Sequence, residues 1–171
     1  MKQSLFTMEH ARQLTADTYE LVLSGDTSAV TAPGQFVNIQ LPGKFLRRPI
    51  SICTWTEDAL LLLVRVVGEG THDLVRCVPG TELDVLSGLG NGFDWTKGGQ
   101  HPILLGGGIG IAPLYGLAQR MLEAGIAQAS PPRWAWASGP GRTPSIWRSS
   151  PSWAAACWWP RRTAALAPAA L

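Results

Sequence analysis

The segment best suited to chemistry is glycine-rich and spans residues 106–113, Gly-Gly-Gly-Ile-Gly-Ile-Ala-Pro. It follows the short apolar run of residues 103–105 and precedes a stretch with helical spacing. Glycines at the end of a strand allow a tight turn and let backbone N–H groups approach a pyrophosphate, and proline suits a first helical turn. The candidate dinucleotide-binding residues are Gly107, Gly108 and Gly110. A purely structural glycine loop has the same composition and stays open as an alternative.

A second candidate site is the segment Arg48-Pro-Ile-Ser51, where a strand is expected to begin. The guanidinium of Arg48 can make a bidentate contact to a diphosphate, while Pro49 stiffens the backbone that carries it. Ser51 offers a hydroxyl at the same edge. The same residues also fit an ordinary strand with two exposed arginines.

A third candidate, Gly68-Glu-Gly-Thr71, precedes a predicted short helix. Gly70 allows close approach of backbone N–H groups to an anion, and Thr71 can cap the helix while contacting a phosphate. A capped turn without a ligand explains the segment equally well. The glycine cluster of residues 88–93 is predicted to be a loop.

The elements that must position these residues are mainly strands in residues 1–100. Alternating or continuous apolar stretches are separated by turns at Pro33-Gly34 and Pro79-Gly80, which is typical of a small antiparallel barrel. One or two helical turns are predicted within residues 71–78. The predicted strands are residues 19–23, 36–41, 60–67 and 82–86.

From residue 102 the pattern changes to strand, glycine turn and helix, the opening of a nucleotide-binding βαβ unit. The predicted helix spans residues 113–124 and places four apolar residues on one side: Leu114, Leu117, Ala118 and Met121. Such a unit needs a second parallel strand after the helix. The sequence that follows predicts none.

Composition excludes several classes of function. The net charge of +2 argues against nucleic acid or an acidic membrane surface as a partner. No apolar run approaches the roughly 20 residues that span a bilayer, and the N-terminus does not resemble a secretory signal. The three cysteines, Cys53, Cys77 and Cys157, form neither a disulfide framework nor a metal-spaced pair. A cytoplasmic location is expected.

Residues 129–171 have a different alphabet, without Asp, Glu, Lys, Phe, Tyr, Val, His, Asn, Gln or Met but with six of the eight tryptophans. This indicates translation of GC-rich DNA in a displaced frame. A displaced frame can be read by joining the third base of each codon, from Pro132 onward, to the first two bases of the following codon. One permitted translation resembles a protein and contains the stretches TVGLGF, DAFYLEEFAKL and RVLVAT. Tryptophan has one codon, so Trp134-Ala135 must give Gly and Trp158-Trp159 must give Val. A genuine partner-binding arm is the alternative.

The motifs at residues 48–51, 68–71, 90–93 and 106–113, in this order, resemble the ferredoxin-reductase-like flavoproteins over roughly residues 5–125. The chain looks most like the electron-transfer subunits of dihydroorotate dehydrogenase B. The resemblance implies an FAD-binding Greek-key β-barrel over residues 1–100 and a truncated Rossmann-like NAD-binding domain beginning at residues 101–128, with residues 129–171 as an out-of-frame tail of little native structure. It implies FAD contacts at Arg48, Pro49, Ile50, Ser51, Leu63, Val64, Arg65, Gly70 and Thr71, and NAD(H) contacts at Gly107, Gly108 and Gly110.

The same resemblance implies a catalytic dihydroorotate dehydrogenase subunit as partner, in a heterotetramer, and electron transfer serving pyrimidine biosynthesis. It also implies a C-terminal [2Fe–2S] cluster. A cluster of this kind needs four thiolates, and the chain has three cysteines, so no metal ligands are assigned. Two alternatives stay open: another NAD(P)H flavin reductase subunit of the superfamily, and a non-functional flavin-binding fragment.

Overall fold

The computed structural model describes residues 1–98, 102–125, 133–137 and 145–147. Its first part is a closed antiparallel barrel, which confirms the predicted fold class. Around the barrel the strands follow the order β1, β2, β5, β4, β3, β6. They are β1 (Lys2–Gln13), β2 (Thr18–Gly25), β3 (Phe36–Gln40), β4 (Arg48–Trp55), β5 (Ala59–Arg65) and β6 (Glu82–Leu89).

Side chains that alternate along the strands fill the barrel interior. In β3 the buried residues are Val37 and Ile39, and in β6 they are Leu83 and Val85. Each apolar side chain removed from water contributes about 1.5–3 kcal/mol, so these strands are stabilised chiefly by the face that they turn inward. The largest fully buried side chains are Phe6, Met8, Leu21, Leu23, Ile39, Leu41, Leu60, Leu62, Leu74 and Leu83.

Strand β5 is apolar on both faces because both faces are covered. Leu62 and Val64 belong to the barrel core. Leu61 and Leu63 belong to a second cluster, outside the barrel, that includes Ala112 of the C-terminal helix. This explains why the sequence of β5 shows no alternation.

A short helix, α1 (Glu69–Val75), lies between β5 and β6. It begins earlier than the predicted segment of residues 71–78, since Gly68 is its N-terminal cap. Leu74 is fully buried and Val75 nearly so, and both join the barrel core. Helix α1 therefore packs on the barrel as part of the same hydrophobic core.

The α/β part contains strand β7 (Ile103–Gly107), a 3-10 turn (Gly108–Gly110) and helix α2 (Ile111–Glu123). Leu104 packs against the apolar side of α2 in a cluster with Leu117, Ala118 and Met121. The predicted strand, glycine turn and helix are thus confirmed. No helix in the described segments is both long and apolar enough to cross a bilayer.

The prediction that no strand follows α2 is wrong. Strand β8 (Arg133–Ala137) pairs in parallel with β7, from Ile103 opposite Arg133 to Gly107 opposite Ala137. Strand β9 (Ser145–Trp147) pairs antiparallel with β8. The pairing uses backbone groups, which any non-proline sequence offers to the open edge of β7, so it requires no apolar pattern. The remaining residues of the 129–171 tail lie outside the described segments.

Candidate functional site

Helix α2 lies along strand β4, with residue numbers rising in the same direction in both. The backbone of Cys53 faces Gly116, and the Thr54 hydroxyl donates to Gln119 Oε1 at 2.8 Å. Further along, the guanidinium of Arg120 lies 5.2 Å from the ring centroid of Trp55. This alignment places the N-terminal end of α2, and the glycine turn before it, toward the Arg48-Pro-Ile-Ser51 end of β4.

The glycine turn leaves its backbone open. A Cβ built on Gly108 or Gly110 would meet no other atom within 4 Å, and Gly108 has a positive φ of 52°. Gly106 differs, because a Cβ there would lie 2.9 Å from the Leu114 side chain. No side chain caps α2 at Gly110, although the Ile111 N–H is bonded to the carbonyl oxygens of Gly108 and Ile109 within the preceding 3-10 turn.

Arg48 is held at the start of β4. Its Nη1 donates to the carbonyl oxygen of Leu46 at 2.7 Å. Gly70, the second residue of α1, lies so close that a Cβ at this position would overlap the guanidinium of Arg48. Within the described segments no carboxylate pairs with Arg48, so its charge is available to an anionic ligand.

The neighbouring Arg47 has a structural role instead. Its Nη2 pairs with Asp84 Oδ2 at 2.7 Å, and its Nη1 donates to the Asp84 carbonyl at 3.1 Å. The hydrogen bond from Arg47 lowers the pKa of the Asp84 carboxyl. The two adjacent arginines are therefore not equivalent, and the alternative of two exposed arginines on an ordinary strand does not describe them.

The other predicted FAD contacts on β4 and β5 differ in exposure. Pro49 and Ser51 are exposed, and Ile50 is half-buried against the barrel core. Leu63 is half-buried and packs against the cluster shared with α2. Four of the predicted FAD contacts thus accompany Arg48 on two adjacent strands.

Two other predicted FAD contacts are placed differently. Val64 is 1% exposed inside the barrel, so only its backbone can face a ligand. Arg65 is exposed, but its Nε pairs with Asp17 Oδ2 at 2.6 Å, and this hydrogen bond is the main cause of the lowered pKa of Asp17. The charge of Arg65 is already matched at the turn between β1 and β2.

Thr71 caps α1 from within the helix. Its hydroxyl accepts hydrogen bonds from the backbone N–H groups of Val67 and Gly68, at 3.0 and 3.3 Å, and donates to the Gly68 carbonyl at 2.9 Å. The expected capping role is therefore met at the third helical position rather than at the cap itself. These bonds engage the hydroxyl that was predicted to reach a phosphate.

Lys44 is a site residue that the sequence motifs did not indicate. It pairs with Glu69 and Asp73 of α1, the latter at 3.0 Å. The hydrogen bond to Glu69 is the largest of the contacts that raise the pKa of Lys44. These two ion pairs hold the loop that contains Leu46 against helix α1, which contains Gly70. Leu46 and Gly70 both contact the Arg48 guanidinium.

The cysteines are packing residues. Cys53 is buried under α2, and Cys77 is half-buried with its Sγ 3.5 Å from the Asp73 carbonyl. Burial is the main cause of the raised pKa of the Cys77 thiol. Residues 1–98 and 102–125 contain no group of three or more His, Cys, Asp or Glu side chains arranged to hold a metal ion. Cys157 lies outside the described segments.

The barrel and glycine turn recur in known proteins. No protein-family model matches the chain. Among curated proteins, the dihydroorotate dehydrogenase B (NAD(+)) electron transfer subunit of Geobacillus sp. (strain WCH70) is 39% identical over 138 residues, which is 76% of this chain and 54% of that protein. The subunit of the same name from Enterococcus faecalis (strain ATCC 700802 / V583) is 42% identical over 132 residues, 73% of this chain and 50% of that protein.

Solved structures give the same fold. The NADH-dependent reduced ferredoxin-NADP oxidoreductase, described in connection with flavin-based electron bifurcation, superposes with a TM-score of 0.63 at 28% identity, over 79% of this chain and 47% of that one. The flavohem-like FAD/NAD binding domain of nitric oxide dioxygenase from Vibrio cholerae O1 superposes with a TM-score of 0.68 over 90% of this chain and 68% of that one. At 16% identity, that second match supports the fold alone.

The barrel, the glycine turn and these matches place the chain in the ferredoxin-reductase-like class, whose solved members include an FAD/NAD binding domain. Within that class, about three quarters of the chain is homologous to the electron transfer subunits of dihydroorotate dehydrogenase B. The chain spans about half the length of the curated relatives that it matches.

Proposed function

We propose that the chain binds FAD on the barrel and NAD(H) at the glycine turn, and that it transfers electrons between them and a partner subunit. The observation that carries the proposal is the position of Arg48. It is an arginine without a carboxylate partner in the described segments, held against Gly70 at the start of the strand along which α2 runs.

The residues of the barrel fit FAD. Arg48 supplies a fixed guanidinium for the diphosphate, where a charge-assisted bidentate contact is favourable. Pro49, Ile50 and Ser51 offer an exposed strand edge with one hydroxyl, and Leu63 adds an apolar surface beside it. Gly70 contributes by leaving room for Arg48. In this proposal Val64 and Thr71 contact FAD with backbone atoms. Arg65 lies next to the cofactor at the end of β5.

The glycine turn fits a dinucleotide. Gly107, Gly108 and Gly110 expose backbone at the N-terminus of α2, where N–H groups and the helix dipole favour a pyrophosphate. When bound, FAD supplies the chemistry of the class, accepting a hydride from a nicotinamide and releasing electrons. The chain binds and orients the two cofactors; no side chain at the described site is assigned the role of an acid or a base.

The partner that the homologues favour is a catalytic dihydroorotate dehydrogenase subunit, since both curated relatives carry the name of its electron transfer subunit. The proposal then extends to a heterotetramer and to pyrimidine biosynthesis. A [2Fe–2S] centre is not part of the proposal for this chain, because three cysteines cannot supply four thiolates.

Flavin reconstitution tests the proposal. The purified chain is incubated with FAD, gel-filtered and examined for flavin absorbance, and NADH is then added without oxygen. Retained flavin that NADH bleaches supports the proposed function. Retained flavin that only dithionite bleaches leaves a flavin-binding fragment, and loss of all flavin rejects the barrel assignment. Preference for NADPH over NADH would favour another reductase subunit of the class.

A further inference from the structure

We propose that Gly116 is a positioning residue that sets how closely α2, and with it the glycine turn, approaches strand β4. A Cβ built on Gly116 would lie 2.5 Å from the carbonyl oxygen of Cys53. Cys53 lies at a bulge of β4, between Ile52 and Thr54, which both pair with β5, so its carbonyl oxygen can shift only together with these paired neighbours. Any side chain at position 116 must therefore lift the helix.

The interface between α2 and β4 around Gly116, here called the seam, is close-packed and has polar contacts at one end. Cys53 and Ala112 are each 1% exposed and share a cluster with Tyr115. One turn beyond, Gln119 accepts from the Thr54 hydroxyl at 2.8 Å and its Nε2 donates to the Tyr115 hydroxyl at 3.3 Å. The Thr54–Gln119 bond joins the strand to the helix, so it weakens as the helix moves away from β4.

The consequence for function rests on the proposed function. Strand β4 carries Arg48 and Ser51, the proposed FAD edge, and α2 carries the proposed NAD turn at its N-terminus. Gly116 lies further along α2 than the glycine turn, at a point where the helix backbone is in close contact with β4. Their separation is therefore set at this glycine, and a reaction that needs near-contact between two cofactors depends on it.

The obvious alternative is that Gly116 is merely tolerated in the helix. Glycine inside a helix is unfavourable relative to alanine, so on that view Gly116→Ala would stabilise α2 and tighten the seam. The two views thus predict opposite changes for one substitution. The solvent exposure of the Cys53 thiol distinguishes the two views, because α2 covers Cys53 and a lifted helix would expose it.

The test uses the full chain with Cys77 and Cys157 replaced by Ala, so that Cys53 is the sole thiol. Labelling of Cys53 by a maleimide is timed with and without Gly116→Ala, with Leu122→Ala on the exposed side of α2 as control. We expect Gly116→Ala to label at least about tenfold faster through easier opening of the seam, and Leu122→Ala to label at the parent rate. Equal or slower labelling of Gly116→Ala overturns the proposal.

A second readout separates this inference from the proposed function. Where the parent chain binds FAD, Gly116→Ala is expected to retain flavin while its NADH-dependent bleaching slows, with dithionite bleaching unchanged. Unchanged NADH bleaching would overturn the positioning role. A parent chain that binds no FAD rejects the proposed function, while the thiol assay still decides the seam. If Gly116→Ala does not fold, Thr54→Val removes the bond to Gln119 instead, and unchanged Cys53 labelling in that variant also overturns the proposal.

Discussion

The guanidinium of Arg48 lies against the α-carbon of Gly70, in the space that any larger residue at position 70 would fill. One residue starts the fourth strand of the barrel and the other lies in the first turn of α1. Lys44 fastens the loop before Arg48 to that helix through Glu69 and Asp73. Helix α1 therefore determines where a charge on the barrel points.

Substituting Gly70 with Ala is expected to weaken FAD binding without weakening the fold. The added methyl group displaces the end of a flexible side chain, and alanine is favoured over glycine in a helix by about 1 kcal/mol. FAD titration and thermal unfolding of Gly70→Ala check the two parts. In an Arg48→Ala background the same substitution should change FAD affinity little, because the side chain that it displaces is gone. If the losses of FAD affinity caused by Gly70→Ala and Arg48→Ala were additive, Gly70 would not act by positioning Arg48.

The adjacent residues Arg47 and Arg48 offer matched substitutions that test whether Arg48 binds the FAD diphosphate. Arg48→Ala should cost FAD binding about 1.5–3 kcal/mol, a tenfold loss of affinity or more, through removal of a charge-assisted contact. Arg47→Ala should instead lower the unfolding midpoint, since it removes the ion pair of Asp84 and the Arg47 hydrogen bonds to two backbone carbonyls. FAD affinity and denaturant unfolding are measured for both variants. Full FAD retention by Arg48→Ala would reject the assignment.

Acid should destabilise the parent chain through Asp84. Its folded-state pKa is lowered by Arg47, so the pair stabilises the fold when the carboxyl is ionised, above the unfolded pKa of about 3.9. That contribution is lost as the pH falls through the folded pKa. Urea unfolding at a series of pH values should therefore show a stability gap between the parent and Asp84→Asn that is constant near neutrality and closes in strong acid. A gap independent of pH would exclude an ionic role.

Much of the barrel was predictable because its strands have one face inside. The alternation in Phe36–Gln40 and Glu82–Leu89 indicates both the strand and its buried residues. The run of residues 60–67 gives the strand but not the faces, since α2 covers the outer one. For this reason the sequence could not show that Val64 points into the core while Leu63 faces the helix.

The site was predicted as a set of motifs, and its supports were not. A glycine turn has a local signature, whereas the contact between Lys44 and α1 joins residues 25 and 29 positions apart. Gly116 is an ordinary helical glycine in the sequence, and only the position of Cys53 shows why it is small. Such long-range contacts depend on the closed barrel and leave no periodic pattern in the chain.

The purified chain is expected to contain no iron and no acid-labile sulfide. Three cysteines fall short of the four thiolates of a [2Fe–2S] centre, and burial raises the pKa of Cys77, which makes its thiolate less available. Iron and sulfide analysis after anaerobic purification checks this, with a dihydroorotate dehydrogenase B electron transfer subunit of full length as the positive control. Stoichiometric iron would show that other ligands hold a cluster.

The last prediction concerns the gene sequence behind residues 129–171. A displaced frame keeps the spacing of the codons, so the recovered stretch TVGLGF coincides with strand β8, which pairs with β7. Backbone pairing with β7 is open to either frame. The recovered stretch is apolar, as a strand buried in a parallel sheet should be, and Ile103 and Leu105 of β7 are exposed on the described chain. Restoring the frame by one nucleotide near codon 130 should therefore raise solubility and strengthen NADH binding.

The checks are resequencing of codons 124–136 and NADH titration of the restored chain, with the barrel substitution Leu62→Ala as a control for general changes in stability. Bases in codons 132–171 that forbid the recovered string, or a restored chain that binds NADH no better, would show that the tail is a genuine part of this protein.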